Sequence, residues 1–439
     1  MFLAAAAAGM ASASAARPQS AASARRVIGA NDRINIGMIG VGGRGSGHLR
    51  SLVRRAEMKG DVKVAGISDI YSKRIDAALN TASLQQKDNN RDFHDLLARS
   101  DVDGVFISTP DHWHAPMAIA ALEAGKDVYL EKPMTLTIDE SRELAAKVKQ
   151  TGGVLQVGCQ HASDMRHHKA RQLIEDGWIG KPLWAQANYS RNSVYGEWNY
   201  TIDEGASAED VGWDAFLGPA PKRAFSPDRY FRWRKYWDYS GGIATDLFYH
   251  RLTPLRQMMG IEFPTRVTGS GGIYVHKDRE VPDTYTSTVE YADSVCVLGS
   301  SMANTAGNAH MEPVVYGHKG TITFEGDAVI VDPEPQFLEE FVQRSGSSKM
   351  YFEVEPHDMN QAHIDNFLDC MRSRQQPNCD ADFGYKVMTA IKLGVDSYRE
   401  GKTMLWDPVN ERRIDQAPAR TVYEGDGLNH EEPRRGGRR

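Results

Sequence analysis

A glycine-rich turn between an apolar run and a helical run limits the possible folds of this chain more than any other feature. The run Ile34–Ile39 is typical of a buried strand, and Gly40-Val41-Gly42-Gly43-Arg44-Gly45 follows it directly. The pattern Gly-x-Gly-x-x-Gly lets a strand turn sharply, bring its backbone against a pyrophosphate and open a helix whose free N–H groups face that anion. A residue without Cβ permits both the tight bend and the close approach. The pattern therefore predicts a dinucleotide site.

An acidic residue after the next apolar run strengthens this prediction. The run Val62–Ile67 ends at Ser68-Asp69, and Asp69 lies 69 − 45 = 24 residues after the last glycine. About 20 residues is the spacing expected for the carboxylate that accepts hydrogen bonds from the adenosine ribose. A carboxylate at this place repels a 2′-phosphate, whereas Lys73 and Arg74 reduce that repulsion. We therefore expect NAD as the cofactor, with NADP as the less favoured alternative.

Apolar runs and helical patterns alternate up to about Gln156. This alternation is typical of a doubly wound parallel sheet with helices on both faces. From Arg266 to Asp332 the period changes to two residues, and short glycine-containing turns separate the later runs, which predicts an antiparallel sheet. The expected fold class is α/β, with a nucleotide domain over residues 31–156. A C-terminal α+β domain over 157–420 would contain a large, open, mostly antiparallel sheet.

The composition excludes some partners, and both ends of the chain differ from the rest. A net charge of −6 gives no reason to expect nucleic acid, and no apolar run approaches the roughly 20 residues that cross a bilayer. Residues 1–30 are rich in Ala and Ser, like an export signal, but no Lys or Arg precedes the apolar part. We interpret them as part of a twin-arginine-type leader, which predicts a periplasmic or exported protein. A cytoplasmic protein with an unstructured leader is the alternative, and residues 421–439 are expected to be a disordered basic tail.

The tripeptide Glu131-Lys132-Pro133 follows an apolar run of the nucleotide domain. Ligands of doubly wound sheets bind beyond the carboxyl ends of the strands, so Lys132 is expected beside the cofactor. Its ammonium group could stabilise the alkoxide that forms as hydride leaves carbon, and Glu131 could pair with it or contact the cofactor. A solvated surface lysine is the alternative.

A second candidate group lies in the sequence Gly241-Gly242-Ile243-Ala244-Thr245-Asp246-Leu247-Phe248-Tyr249-His250. Asp246 and His250 are four residues apart, so on a helix they share one face. A histidine supplies a general base near neutral pH, and a nearby carboxylate can orient it. A helix-capping aspartate with an unrelated histidine is the alternative.

These motifs, in this order and with His114 following Thr109-Pro110, resemble the Gfo/Idh/MocA oxidoreductases over nearly all of residues 34–406. The resemblance implies a Rossmann domain, an α/β domain with an open sheet that also supports homo-oligomers, bound NAD(P), and a sugar or polyol substrate. By position, Lys132, Asp246 and His250 match the catalytic residues of that family, with Asp246 orienting His250. The expected cofactor contacts are Gly40, Gly42, Gly43, Arg44, Gly45, Asp69, Thr109, Pro110, His112, His114, Glu131, Lys132 and Gln160. The expected substrate contacts are Arg232, Trp233, Arg234 and Tyr285, although the aromatic-rich loops could instead form core packing or a dimer interface.

Two other functions remain open. The Gly-Gly-Arg-Gly feature is similar to that of family 109 glycoside hydrolases, which cleave glycosides by transient oxidation, elimination and re-reduction. That cycle needs a second base, for which the histidines at 112, 114, 161, 167 and 168 are candidates. A non-catalytic NAD-binding sensor is the second alternative to the oxidoreductase. His112 and His114, with His161 or with His167 and His168, could instead hold a divalent metal ion. No further ligand lies at a recognisable spacing, so we expect no metal.

Overall fold

The structure is a computed structural model that describes residue 29, residues 32–305 and residues 312–416. The expected leader, apart from Gly29, and the expected basic tail lie outside the described residues. Among the described helices, none combines the length and the apolar character that a bilayer-crossing segment requires.

The first sheet has six parallel strands in the order β3-β2-β1-β4-β5-β6. Strand β1 lies at the centre of the sheet, the next two strands are added on one side of it, and β4 to β6 are added on the other side. This change of side creates a crevice beyond the carboxyl ends of β1 and β4. The strands are β1 Ile34–Ile39, β2 Val62–Ser68, β3 Asn89–Asn90, β4 Gly104–Ile107, β5 Asp127–Glu131 and β6 Leu155–Gly158. Between them lie the helices α1 Gly43–Lys59, α2 Ser72–Ala82, α3 Phe93–Leu97, α4 Asp111–Glu123 and α5 Ile138–Thr151. The predicted doubly wound sheet is confirmed.

The second sheet has ten strands in the order β14-β13-β12-β11-β7-β10-β9-β8-β15-β16. Only the pair of β7 and β10 is parallel among its described pairings, so the prediction of a mostly antiparallel sheet is also confirmed. Its strands are β7 Pro182–Asn188, β8 Arg266–Gly272, β9 Thr284–Glu290, β10 Val295–Ser301, β11 Val314–Gly317, β12 Gly320–Glu325, β13 Ala328–Pro333, β14 Met350–Glu353, β15 Met404–Asp407 and β16 Arg412–Ile414. Its helices are α6 Met165–Glu175, α7 Trp213–Leu217, α8 Pro227–Phe231, α9 Tyr249–Met259, α10 Leu338–Ser345, α11 Met359–Ser373 and α12 Ala381–Glu400.

Helix α11 returns the chain to the first sheet. Its apolar residues Ile364, Phe367 and Leu368 share one buried cluster with Ile34 and other residues of the nucleotide-domain strands. The sequence division had placed this helix with the second domain. Its amphipathic pattern predicts a helix but does not state which sheet its apolar face covers.

The aromatic-rich segment between β7 and α9 forms a third core. Trp213, Phe216, Tyr230 and Tyr239 pack together and against Tyr71 from the nucleotide domain. Core packing, one of the two alternatives offered for these aromatics, therefore accounts for most of them. The segment joins the two domains along one side of the crevice.

Candidate functional site

A cleft of about 790 Å³ lies between the carboxyl ends of the parallel strands and the second domain. The glycine turn, the end of β5, the π-helical turn Ala244–Phe248 and the start of α9 all contribute residues to it. Gly40, Gly42, Gly43 and Arg44 line one end, and Lys132, Asp246 and His250 line the same cavity. The two groups of residues that were singled out in the sequence thus face one another.

The glycine turn has the geometry that close approach to an anion requires. Gly40 has a φ of +80°, which favours glycine, and a Cβ on Gly45 would lie 2.0 Å from the Gly40 carbonyl oxygen. Helix α1 begins after Gly42 and has no side-chain cap on its first N–H groups. These groups are therefore available to a ligand, as a pyrophosphate site requires. Gly45 itself does not line the cleft but permits the close contact of helix and turn.

Asp69 lies at the end of β2, beside the turn. Its Oδ2 accepts a hydrogen bond from the Val41 N–H at 2.8 Å, and its Oδ1 accepts one from the Tyr71 N–H at 2.9 Å. These two bonds fix a buried carboxylate at the wall of the cleft. Arg74 also lines this end and stacks over the rings of Tyr71 and Tyr230. This donor and acceptor set fits the adenosine ribose of a dinucleotide.

Three side chains after β4 present polar atoms without partners. Ser108 Oγ, Thr109 Oγ1 and Asp111 Oδ2 are buried and have no hydrogen-bond partner within the described part of the chain. All three residues line the cleft, where the strand order reverses. Buried polar atoms normally have partners, so three orphans in one wall fit a site that binds a polar ligand.

A network around Glu131 was not found from the sequence. Glu131 Oε1 accepts hydrogen bonds from Arg44 Nε at 2.8 Å and from His48 Nε2 at 2.6 Å. Burial acts to raise the pKa of Glu131, but the Arg44 charge and the His48 bond outweigh it and hold the pKa well below its usual range. Glu131 therefore does not pair with the Lys132 ammonium. It ties the glycine turn to the end of β5 instead.

Lys132 reaches across the cleft to the second domain. Its Nζ donates to Oδ1 of Asp246 and to the backbone oxygen of Asp246, each at 2.8 Å. The side chains are only 10% and 8% exposed, so the pair is shielded from solvent. A surface lysine is thereby excluded, because the ammonium group lies beside the second domain.

Asp246 is held by further donors. Arg234 Nε donates to Oδ1 at 3.2 Å, Trp198 Nε1 donates to Oδ2 at 3.1 Å, and Arg191 Nη1 lies 3.8 Å from Oδ2. Trp198 has a φ of +67°, a strained conformation for a non-glycine residue that places its indole against this carboxylate. Burial acts to raise the pKa of Asp246, but the charges of Lys132, Arg234 and Arg191 hold it well below its usual range.

The expected role of Asp246 in orienting His250 is not seen. Among the described residues, Asp246 and His250 share no hydrogen bond, and the bonds that the Asp246 carboxylate accepts come from Lys132, Arg234 and Trp198. The π-helical turn that contains Asp246 ends before His250, so the regular four-residue spacing of an α-helix does not relate the two. Asp246 positions Lys132 instead.

His250 occupies a partly buried position at the start of α9. Burial first, and then the charges of Lys132 and His161, lower its pKa well below the usual value of 6.5. Its Nδ1 lies 3.8 Å from Cys159 Sγ, and its ring packs edge-on against His161. The imidazole is therefore neutral near pH 7, which is the state that a general base requires.

Cys159, His161 and His250 also form a set that could bind a metal ion. One ligand atom from each lies within 4.8 Å of the others. Of the histidines weighed as metal ligands in the sequence analysis, His161 belongs to this set, whereas His112, His114, His167 and His168 do not. The expectation of no metal remains a prediction.

Several expected contacts lie elsewhere, and the structure corrects them. Tyr285 is 2% exposed and packs against Phe248 and Tyr398 within the second domain, so it does not reach the cleft. His112 and His114 do not line the cleft. His112 Nε2 bonds to the Phe216 backbone oxygen, and both ring nitrogens of His114 bond to backbone oxygens. A periodic pattern and a motif position do not reveal which way a side chain points.

The remaining expected residues divide between two cavities. Trp233 and Arg234 line the main cleft, together with Thr109, Pro110 and Gln160. Arg232 lines a neighbouring depression, where it pairs with Asp228, and Thr201 lines both cavities. Asp111, Arg191 and Trp198 were not predicted as site residues. For these three residues, the one local sequence feature that could have indicated a site role is the position of Asp111 directly after Thr109-Pro110.

Two family models match the chain. The model described as "Oxidoreductase family, NAD-binding Rossmann fold" matches residues 34–159. The model described as "Oxidoreductase family, C-terminal alpha/beta domain" matches residues 163–426. The chain belongs to the Gfo/Idh/MocA oxidoreductase family. The resemblance drawn from its motifs is therefore confirmed, and its first domain is an NAD-binding Rossmann domain.

The curated relatives are similar at modest identity. An inositol 2-dehydrogenase of Salmonella paratyphi B is 34% identical over 166 residues, which are 38% of this chain and 48% of that protein. A scyllo-inositol 2-dehydrogenase (NAD(+)) of Bacillus subtilis is 24% identical over 383 residues, 85% of this chain and 97% of that protein. A glycosyl hydrolase family 109 protein of Shewanella pealeana is 30% identical over 174 residues, 37% of this chain and 36% of that protein. The match thus spans about half the length of the inositol 2-dehydrogenase and about a third of the hydrolase.

Solved structures share the fold. Levoglucosan dehydrogenase in complex with NADH and levoglucosan superposes with a TM-score of 0.66 at 18% identity, over 88% of this chain and 100% of that one. An aldose-aldose oxidoreductase of Caulobacter crescentus complexed with glycerol has a TM-score of 0.63 at 19% identity, over 85% of this chain and 99% of that one. At these identities the likeness shows the fold alone.

Proposed function

We propose that this protein is an NAD-dependent oxidoreductase that transfers hydride between the cofactor and a CH–OH carbon of a sugar, polyol or glycoside. The observation that carries the proposal is the meeting of Lys132 and His250 in the cleft that contains the glycine turn. The names of the relatives, which include inositol and levoglucosan dehydrogenases, support the substrate class.

The residues divide the reaction between them. Neutral His250 takes the hydroxyl proton at a ring nitrogen, and the Lys132 ammonium stabilises the oxygen as negative charge develops there. Asp246 holds that ammonium in place through its hydrogen bond at 2.8 Å. NAD bound between the glycine turn and Asp69 would supply the hydride acceptor. Arg234 and Trp233, at the same wall, are placed to bond and stack against a polyhydroxylated ring.

NAD rather than NADP is part of the proposal. The Asp69 carboxylate is fixed by two backbone N–H groups and cannot turn away from a 2′-phosphate. Arg74 lines the same end but is engaged with the two tyrosine rings.

The test combines nucleotide analysis with an activity screen. Mass spectrometry of nucleotide released from the denatured protein identifies the cofactor, and myo-inositol, levoglucosan and 4-nitrophenyl β-glucoside are assayed for NADH formation. Lys132→Ala and His250→Ala should each lower turnover by about 10²-fold or more while nucleotide binding persists. Lys149→Ala and His94→Ala are matched controls, because their side chains are 66% and 65% exposed. Near-normal turnover in both cleft variants would refute the assignment.

A glycoside hydrolase that works by transient oxidation is the second candidate. The family 109 relative favours it, and so does the Asp111 carboxyl group in the cleft, whose Oδ2 has no hydrogen-bond partner among the described residues. Release of 4-nitrophenol without net NADH would support the hydrolase. Net NADH supports the dehydrogenase, and nucleotide binding with neither activity would support a sensor.

We also propose that the protein is exported, and that it forms homo-oligomers through the open ten-stranded sheet. The Ala- and Ser-rich composition of residues 1–30 supports export. N-terminal sequencing of the protein from cell fractions tests it, and an intact Met1 in the cytoplasmic fraction would contradict it. Exposed apolar residues on this sheet, such as Val297 and Tyr351, support self-association, which light scattering measures.

A further inference from the structure

Asp111 is a buried carboxyl group in the cleft to which the proposed reaction assigns no step. It is the first residue of α4, is 3% exposed and lines the same cavity as Lys132 and His250. Its Oδ2 has no hydrogen-bond partner among the described residues. Burial of a charged oxygen without a hydrogen-bond partner is unfavourable in free energy, so this carboxyl group needs a ligand or a proton.

The charged groups that face Asp111 come from three other elements. Arg234 and Lys132 favour the ionised carboxylate, Asp246 opposes it, and Thr245 offers a hydroxyl group. Burial outweighs the two cations and raises the pKa of Asp111 to about 7. The group can therefore both accept and release a proton near neutral pH, unlike Asp246, whose pKa is held far below that range.

Asp111, Lys132 and His250 line the same cleft. The charge of Lys132 acts to lower the pKa of both other groups. The cleft therefore holds a neutral imidazole, a carboxyl group and the ammonium group together. An oxygen that is bound to Lys132 lies within one catalytic centre with two separate bases.

We propose that Asp111 is a second catalytic base, which removes the proton from the carbon next to the carbonyl group formed by oxidation. The inference rests on the proposed function, because the oxidation must come first. Asp111 Oδ2 takes the proton, the C–H electron pair forms a C=C bond, and the carbonyl π electrons move to the oxygen as an enolate. Return of the proton from Asp111 restores the ketone, so the step consumes nothing.

The residues that stabilise an alkoxide also suit an enolate. In both species the negative charge lies on the same oxygen, where Lys132 is placed to donate. Where a glycosidic oxygen is attached to the next carbon, the enolate expels it, and this oxygen leaves as the alcohol after protonation. The presence of Asp111 thus equips the cleft for the elimination step that simple oxidation does not need.

The test measures exchange of carbon-bound hydrogen with solvent. The full chain with NAD is incubated in D₂O with whichever of myo-inositol, levoglucosan and 4-nitrophenyl β-glucoside it oxidises. Deuterium on the carbons beside the oxidised one is then followed by NMR and mass spectrometry. Asp111→Asn should lower this incorporation by about 10²-fold or more, while hydride transfer in a single turnover falls by less than about tenfold. Asp111→Glu should recover part of the exchange.

The controls separate this inference from the proposed function. Asp95 also lies in the first turn of a helix but is exposed, and Asp95→Asn should leave both rates unchanged. In the wild type, exchange should rise with pH through about 7 and become independent of pH in Asp111→Asn. Hydride transfer without deuterium incorporation, or full exchange in Asp111→Asn, would overturn the role of Asp111 alone. Absence of hydride transfer with all three probes would overturn the proposed function and this inference together.

Discussion

Removal of Asp246 is expected to cost more stability than removal of Lys132, although the two form one ion pair. Asp246→Asn keeps the side-chain shape but withdraws the carboxylate that Lys132, Arg234 and Arg191 share. Breaking a buried pair from one side leaves uncompensated charge, which costs about 3–5 kcal/mol. Since three cations lose their counter-charge here, we expect the free energy of unfolding to fall by an amount in that range.

Lys132→Met leaves fewer buried charged groups without a partner than Asp246→Asn does. Asp246 still accepts hydrogen bonds from Arg234 and Trp198, and the methionine fills most of the space of the lysine stem. The expected cost is the roughly 1.5–3 kcal/mol of one hydrogen bond to a charged group. Both variants should lose about 10²-fold or more in turnover, because each removes the placed ammonium group.

Urea unfolding of the nucleotide-free protein near neutral pH measures both stability changes, provided that the slope against urea is unchanged. Asp139→Asn is the matched control, because Asp139 pairs with Arg142 on the surface with 90% of its side chain exposed. Its expected cost is below about 1 kcal/mol. The double variant of Lys132 and Asp246 should cost less than the sum of the single variants. A larger loss for Lys132→Met than for Asp246→Asn, or strict additivity, would refute the argument.

Three further predictions concern the nucleotide end and the core. Gly45→Ala should abolish nucleotide binding because its Cβ would lie 2.0 Å from a backbone oxygen. Gly47→Ala should bind normally, because its Cβ would meet no atom within 4 Å apart from its chain neighbours and the backbone of its own helix, and calorimetry compares the two variants. Asp69→Ser should weaken NAD by about tenfold or more and raise the NADP-to-NAD affinity ratio, since it removes a charged acceptor; an unchanged ratio in fluorescence titrations would contradict this. Burial lowers the pKa of His363 to about 4, so the unfolded chain binds a proton below pH 6.5 that the folded chain does not. Stability should therefore fall as the pH drops from 6.5 towards 4, and His363→Gln should flatten that slope by up to about 1.4 kcal/mol per pH unit in urea unfolding.

Features that arise within one short segment could be predicted from the amino-acid sequence alone. Strand, glycine turn and helix are neighbours in the chain, and the periods of two and 3.6 residues distinguish the two sheets from the helices. Asp69, Lys132 and His250 follow local patterns, so their type and position could be read directly, and the structure brings all three to one cleft.

Contacts between distant groups, and the pKa shifts that burial causes, depend on how the whole chain packs. Glu131 pairs with Arg44, 87 residues earlier, and Lys132 pairs with Asp246, 114 residues later, and no local pattern specifies such partners. The direction of Tyr285 into the core and the raised pKa of Asp111 depend on the surrounding packing and on the water that it excludes. Side-chain orientation and electrostatics are properties of the folded environment, because the free energy of a charge depends on every group packed around it.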